Sequence, residues 1–277
     1  MNQFRKIKKT IQGLAQKDGA GVNLQRVIGF RDTQDFDPFL MLDFFDSRNP
    51  EDYVKGFPWH PHRGIETITY LISGNIEHQD SLGNGGIISD SSCQWMTAGS
   101  GILHQEMPLS SPYMLGIQLW LNLPAKDKMC PPAYHEIKSS DIMQIQEENA
   151  QIRLISGSYK GNSSNNQGEY IKATIIDCSL DKNSNWEYIS NQEDNLFIFL
   201  ISGYLLIDNA SIHPKTAVLF DSGAKIHVQS DEHPARFLIF SGKALNEGIA
   251  WGGPIVMNTR EELNLAFKEL ENGTFIK

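Results

Sequence analysis

Apolar residues fall along this chain in short runs, each closed by Gly, Asn, Asp, Ser or Pro. Glu66-Thr-Ile-Thr-Tyr-Leu-Ile72 is β-branched and aromatic, and the turn Ser73-Gly74-Asn75 follows it. Met114-Leu-Gly-Ile-Gln-Leu-Trp-Leu121 is a second such run, ended by Asn122-Leu-Pro124. Leu196-Phe-Ile-Phe-Leu-Ile201 and Ala235-Arg-Phe-Leu-Ile-Phe240 are two more. Short strands punctuated this regularly predict an all-β sandwich or barrel. Helical spacing is clearest near the C-terminus. Thr259-Arg-Glu-Glu262 fits a capping box, Leu263, Ala266, Phe267 and Leu270 share one helical face, and Gly273 can end the helix. This predicts one amphipathic helix capping a β-rich body.

The pattern also repeats. Leu71-Ile-Ser-Gly74 recurs as Leu200-Ile-Ser-Gly203, each time between an apolar run and a turn. That shared context points to duplication of one barrel. A length of 277 residues agrees, since it exceeds ordinary single-domain size. The polar stretch Glu136 to Ala150 then becomes the connection, which gives domains 1–135 and 136–277 with the helix in the second. Gly157 to Gly168, rich in Ser, Asn and Gly, is expected to be an exposed loop.

Composition narrows the function classes. A net charge of −9 opposes direct binding of nucleic acid or an acidic membrane, and leaves a protein partner compatible. Met1 to Lys9 is basic but short, and is expected to be a solvated terminal strand. Three distant cysteines, Cys93, Cys130 and Cys178, suggest neither a disulfide framework nor a zinc ribbon. With no secretory signal and no apolar run approaching about eighteen residues, a cytoplasmic location is expected.

The candidate chemistry lies in His60-Pro-His62 and His104-Gln-Glu106. A strand points residues i and i+2 to one face, so each pair can aim at a common point. If His60 and His62 face inward, period two carries that face through Gly64 to Glu66, Ile68 and Tyr70. Glu66 then competes with Glu106 as a carboxylate ligand. Burying three imidazoles and a carboxylate together is costly unless they are paired or bind a metal. Imidazole and carboxylate suit iron, nickel, manganese, copper and zinc. Four protein ligands on a six-coordinate metal leave two free positions, whereas a four-coordinate zinc would be closed and structural. His78 shares a face with Asp80 and is expected to support the site through a hydrogen bond or to sit in the core. Gln118, polar within an apolar strand, lines a pocket or satisfies backbone groups. Trp95, Met96 and Leu103 line a pocket or belong to the core.

These residues carry a family resemblance. Phe57-Pro-x-His-Pro-His-Arg-Gly-x-Glu66, His78-x-Asp-Ser81, Gln94-Trp-Met-Thr-Ala-Gly-x-Gly-Ile-x-His104-x-Glu106 and Gln118-Leu-Trp-x-Asn-Leu-Pro124 resemble the pirin family of the cupin superfamily. Gly253-Pro-x-Val-Met-Asn-Thr259 resembles it too. The resemblance implies two cupin (jelly-roll) barrels with a metal in the N-terminal one alone, held by His60, His62, His104 and Glu106. It moves Glu66 to a supporting role. It implies one divalent metal, iron before nickel, manganese, copper or zinc. It also implies a quercetin 2,3-dioxygenase acting on a flavonol and dioxygen, with Glu106 as ligand, base or both. Other members of the family are iron-dependent, redox-sensing co-regulators that bind protein partners, and that is the alternative, beside a purely structural metal. Counting back from Gly203 as from Gly74 puts Ile189, Asn191 and Asn195 where His60, His62 and Glu66 stand, so the second barrel is expected to lack the metal.

Overall fold

Strands form where β-branched and aromatic residues run together, at Ile65–Ser73, Met114–Asn122, Asp194–Ser202 and Ala235–Lys243. The computed structural model describes Gln3 to Lys277; Met1 and Asn2, the start of the basic N-terminal stretch, lie outside the described residues. The rest of that stretch leads into the strand Ile7–Gln12, which alternates half-buried and exposed residues.

The first barrel contains a seven-stranded sheet. Its order is Ala133–Ile137, Cys93–Thr97, Ile65–Ser73, Met114–Asn122, Phe39–Ser47, Val22–Ile28, Leu14–Asp18. A four-stranded sheet runs Phe57–His62, Ile102–Leu109, Asn75–Asp80, Gly85–Ile88. Two separate apolar cores belong to this barrel. One includes Val22, Leu24, Phe45, Leu71 and Met114, and the other includes Leu40, Ile65, Met96, Ile102 and Trp120. The polar constellation described below belongs to neither.

The second barrel repeats the topology. Its seven-stranded sheet runs Ile7–Gln12, Thr216–Phe220, Asp194–Ser202, Ala235–Lys243, Thr174–Leu180, Ala150–Ser156, Met143–Gln146. Its four-stranded sheet runs Asn185–Ile189, Lys225–Ser230, Leu205–Ile207, Ala210–Ile212. Strand for strand, Asn185–Ile189 and Lys225–Ser230 are the counterparts of the two histidine-bearing strands. Equal counting from the Ser-Gly turns misses this register. Two residues, Arg63 and Gly64, separate the first barrel's pair of strands, while four, Ser190 to Glu193, separate the second's. The inward positions of the counterpart strands are Trp186, Tyr188, Ile226 and Val228, all in a single apolar core.

The two compact units are discontinuous in sequence. Residues up to Gly13, Gln34–Pro38 and Ser140–Ala244 make one, and Leu14–Thr33, Phe39–Ser139 and Leu245–Lys277 make the other. The domains expected from sequence, 1–135 and 136–277, put the helix with the second barrel. The helix Arg260–Glu271 instead belongs to the unit of the first, where Leu263 and Ala266 pack with Ile255, Met257 and Phe275. Its capping box forms as predicted: Thr259 Oγ1 accepts from the Glu262 N–H, and Glu262 accepts from the Thr259 N–H.

Candidate metal centre

The histidine-bearing strand Phe57–His62 carries two prolines, which cannot donate to a β-ladder. It is an edge strand, the one place where that loss is tolerated. Antiparallel pairing with Ile102–Leu109 puts His104 opposite His60. A register shift between His104 and Glu106 then sets Glu106 opposite Phe57.

The imidazoles of His60, His62 and His104 converge, with one nitrogen of each lying within 4.8 Å of the others. Ring centroids are 4.8 Å apart for His60 and His62, 4.3 Å for His60 and His104, and 5.0 Å for His62 and His104. His62 and His104 are buried and His60 is half-buried. The partners of the rings define their tautomers. His60 Nδ1 lies 2.9 Å from the Pro58 carbonyl and His62 Nδ1 lies 2.9 Å from the Pro254 carbonyl. A carbonyl only accepts, so both Nδ1 atoms carry the proton. In their neutral forms the two rings then face each other through Nε2 lone pairs, 3.1 Å apart. Both nitrogens of His104 are buried with no hydrogen-bond partner. Leaving such groups unsatisfied costs about 1–3 kcal/mol each. A divalent cation among the three nitrogens would take up the facing Nε2 lone pairs and one of the two His104 nitrogens, so this donor set fits a metal.

The electrostatics agree. Burial first, then neighbouring His60, pushes His62 down to about 3, although the Pro254 carbonyl opposes the shift. Burial and the fields of His62, His60 and His78 push His104 down as well. Neutral imidazoles are the ligand form.

Glu106 is buried but does not belong to the three-nitrogen group. Its carboxylate is held by neutral donors. Thr69 Oγ1 donates to Oε1 at 3.0 Å, Gln94 Nε2 also donates to Oε1, and Gln118 Nε2 donates to Oε2 at 2.6 Å. Trp120 Nε1 donates to Gln118 Oε1 at 3.3 Å, which fixes the orientation of that amide. Gln118 therefore serves a carboxylate rather than the backbone. Thr69 and Gln94 were not singled out from sequence. Their signal was the same as for Gln118: a polar residue inside an apolar β-run.

Glu66 lies elsewhere. The inward face expected to continue from His62 to Glu66 is interrupted at Gly64, where φ is +76°. The strand Ile65–Ser73 is a different strand in the larger sheet, and Glu66 accepts a hydrogen bond from Thr97 at 2.7 Å. His78 is fully buried, lies 3.3 Å from Asp80 Oδ2 through Nε2 and stacks on Tyr134 at 4.4 Å. Its ring centre is 5.5 Å from that of His104. Met96 belongs to the apolar core with Ile65 and Trp120; Trp95 is buried in its strand and Leu103 is half-buried.

Residues 21–121 match the family described as Pirin, and residues 175–276 match the Pirin C-terminal cupin domain. The chain belongs to the pirin family. It is 36% identical to a pirin-like protein of Caulobacter vibrioides over 98% of this chain and 99% of that one. It is 34% identical to human pirin over 98% of this chain and 94% of that one. Among solved structures, a quercetin 2,3-dioxygenase of Acinetobacter baumannii superposes with a TM-score of 0.90 at 29% identity, covering 99% of both chains. The pirin fold thus spans both barrels. Among the described residues, no helix is long and apolar enough to cross a membrane.

Proposed function

We propose that the protein is a metal-dependent dioxygenase of quercetin-like flavonols, with Fe2+ held in the first barrel by His60, His62 and His104 and with Glu106 beside it. The observation that carries this reading is the convergence of three imidazole nitrogens, with the buried carboxylate of Glu106 two residues from His104 on the same strand. The solved relative named as a quercetin 2,3-dioxygenase supports the choice of substrate. A bound metal would supply Lewis-acid polarisation and dioxygen chemistry. The chain supplies the rest. Glu106, accepting only from neutral groups, takes the proton of the flavonol 3-hydroxyl. Gln118, Gln94 and Thr69 keep its two oxygens oriented while the charge moves. The Pro254 and Pro58 carbonyls hold the two edge-strand imidazoles with Nε2 toward the centre. The second barrel takes no part in the chemistry, because the inward faces of its two counterpart strands carry Trp186, Tyr188, Ile226 and Val228, all apolar core.

Anaerobic metal analysis followed by quercetin under air tests the proposal. One metal per chain and consumption of the flavonol with release of carbon monoxide are expected. Absence of flavonol loss with iron, nickel, manganese and copper each loaded would refute the activity. Full metal occupancy in His62→Ala would refute the centre.

A further inference from the structure

Three consecutive residues at the end of the histidine strand are each tied to the C-terminal segment. His62 Nδ1 meets the Pro254 carbonyl at 2.9 Å. The Arg63 carbonyl accepts from the Val256 N–H at 3.1 Å. Gly64 packs so closely that a Cβ there would stand 2.0 Å from the Val256 carbonyl oxygen. Lys128 Nζ bridges the same two elements, donating to the Gly64 carbonyl at 2.7 Å and the Val256 carbonyl at 2.9 Å. Burial pushes that ammonium down to about 7, and its three acceptors include Asn122 Oδ1.

Arg63 extends the connection to the end of the chain. Its guanidinium is buried, and each of its three nitrogens donates one hydrogen bond. Nε donates to the Ser100 carbonyl at 2.7 Å, Nη1 to Glu269 Oε2 at 2.6 Å and Nη2 to the Phe275 carbonyl at 2.7 Å. The Phe275 ring lies 4.1 Å from the guanidinium carbon. Fork geometry and charge make these bonds strong and directional. His60 has no such tie, since its Nδ1 is satisfied by Pro58 within its own strand.

We infer that the C-terminal segment from Pro254 to Phe275 is a strap that sets the orientation of the His62 imidazole, with Arg63, Glu269 and Phe275 as its positioning residues. The inference rests on the metal centre proposed above, not on flavonol turnover. A helix that caps a barrel needs only its apolar face. Here the helix also carries Glu269, which anchors the residue next to a ligand. Partners that orient ligating histidines typically tune metal affinity by about 10–100-fold.

The test uses the full-length chain, Co2+ as probe, and three variants: Glu269→Gln, Phe275→Leu, and Leu270→Ala as a control that loosens the same helix without touching Arg63. Affinity is read by competition with a chelator, the ligand field by the visible Co2+ spectrum, and the metal-free fold by thermal unfolding. Glu269→Gln and Phe275→Leu are expected to weaken Co2+ binding about 10-fold and to shift the visible bands. Leu270→Ala is expected to lower the metal-free unfolding temperature while keeping the wild-type spectrum. Wild-type affinity and spectrum in the first two variants overturn the strap, as does an equal change in Leu270→Ala. If His62→Ala binds Co2+ as tightly as wild type, the centre itself falls and the strap with it.

Discussion

The sharpest prediction concerns acid and the metal-free protein. Burial holds His62 near 3 in the folded chain, against an ordinary value of 6.5. A depressed folded-state value means the unfolded chain binds the proton more readily. The stabilising contribution is therefore complete above pH 6.5 and is lost progressively as pH falls toward 3. From pH 7.5 to 4.5 the loss is about 2.7 kcal/mol, two pH units below 6.5 at about 1.36 kcal/mol each. His104 shifts in the same direction, and one of its causes is His62 itself, so removing His62 eases both. The comparison is wild type against His62→Ala, stripped of metal, unfolded in urea at pH 7.5, 6.5, 5.5 and 4.5. Pulsed hydrogen exchange of peptides covering residues 57–109 isolates the first barrel from the second. Near neutrality the variant is expected to be less stable, because it loses a packed ring and the Pro254 hydrogen bond. That gap should close by about 2.7 kcal/mol by pH 4.5. Parallel stability curves at all four pH values would refute the view that His62 is held neutral by burial.

Other outcomes follow from particular contacts. Gly64→Ala forces a side chain onto a φ of +76° and against the Val256 carbonyl, so thermal unfolding should show a loss of about 2–4 kcal/mol; an unchanged unfolding temperature would contradict the close approach. Gln118→Leu removes an amide donor from Glu106 Oε2, worth about 1.5–3 kcal/mol for a bond to a charged group, so flavonol turnover should fall about 10–100-fold with metal stoichiometry retained. Unaltered kcat in that variant would count against Glu106 as the proton acceptor. Thr259→Ala deletes the cap of the C-terminal helix and should cost about 1 kcal/mol in urea unfolding of the first barrel, an effect absent if the helix is held by its apolar face alone.

Much of this was legible in the chain. Period-two alternation identified His60 with His62 and His104 with Glu106 as pairs, because on a strand that spacing is geometry rather than coincidence. The Leu-Ile-Ser-Gly repeat announced two barrels, and the helix with its capping box was read from spacing alone. The misplaced features share a cause. Glu66 entered the candidate face because period two assumes an unbroken strand, and Gly64 in the left-handed region breaks it. In the second barrel the connecting turn is two residues longer and the inward positions fall on Trp186 and Tyr188, so equal counting to Ile189 and Asn191 does not reach them. Neither a turn conformation nor a loop length is encoded in alternation.

Local pattern therefore determined which side chains could be ligands: residue type, spacing and strand period are properties of a few neighbouring residues. What holds those ligands was decided by tertiary structure. Pro254 reaches His62 across 192 positions, Glu269 reaches Arg63 across 206, and Gln94, Gln118 and Thr69 meet on Glu106 from three strands. Contacts at such separations exist only after the sheets close and the C-terminal segment docks on the first barrel, because each depends on backbone register that no short stretch of sequence contains.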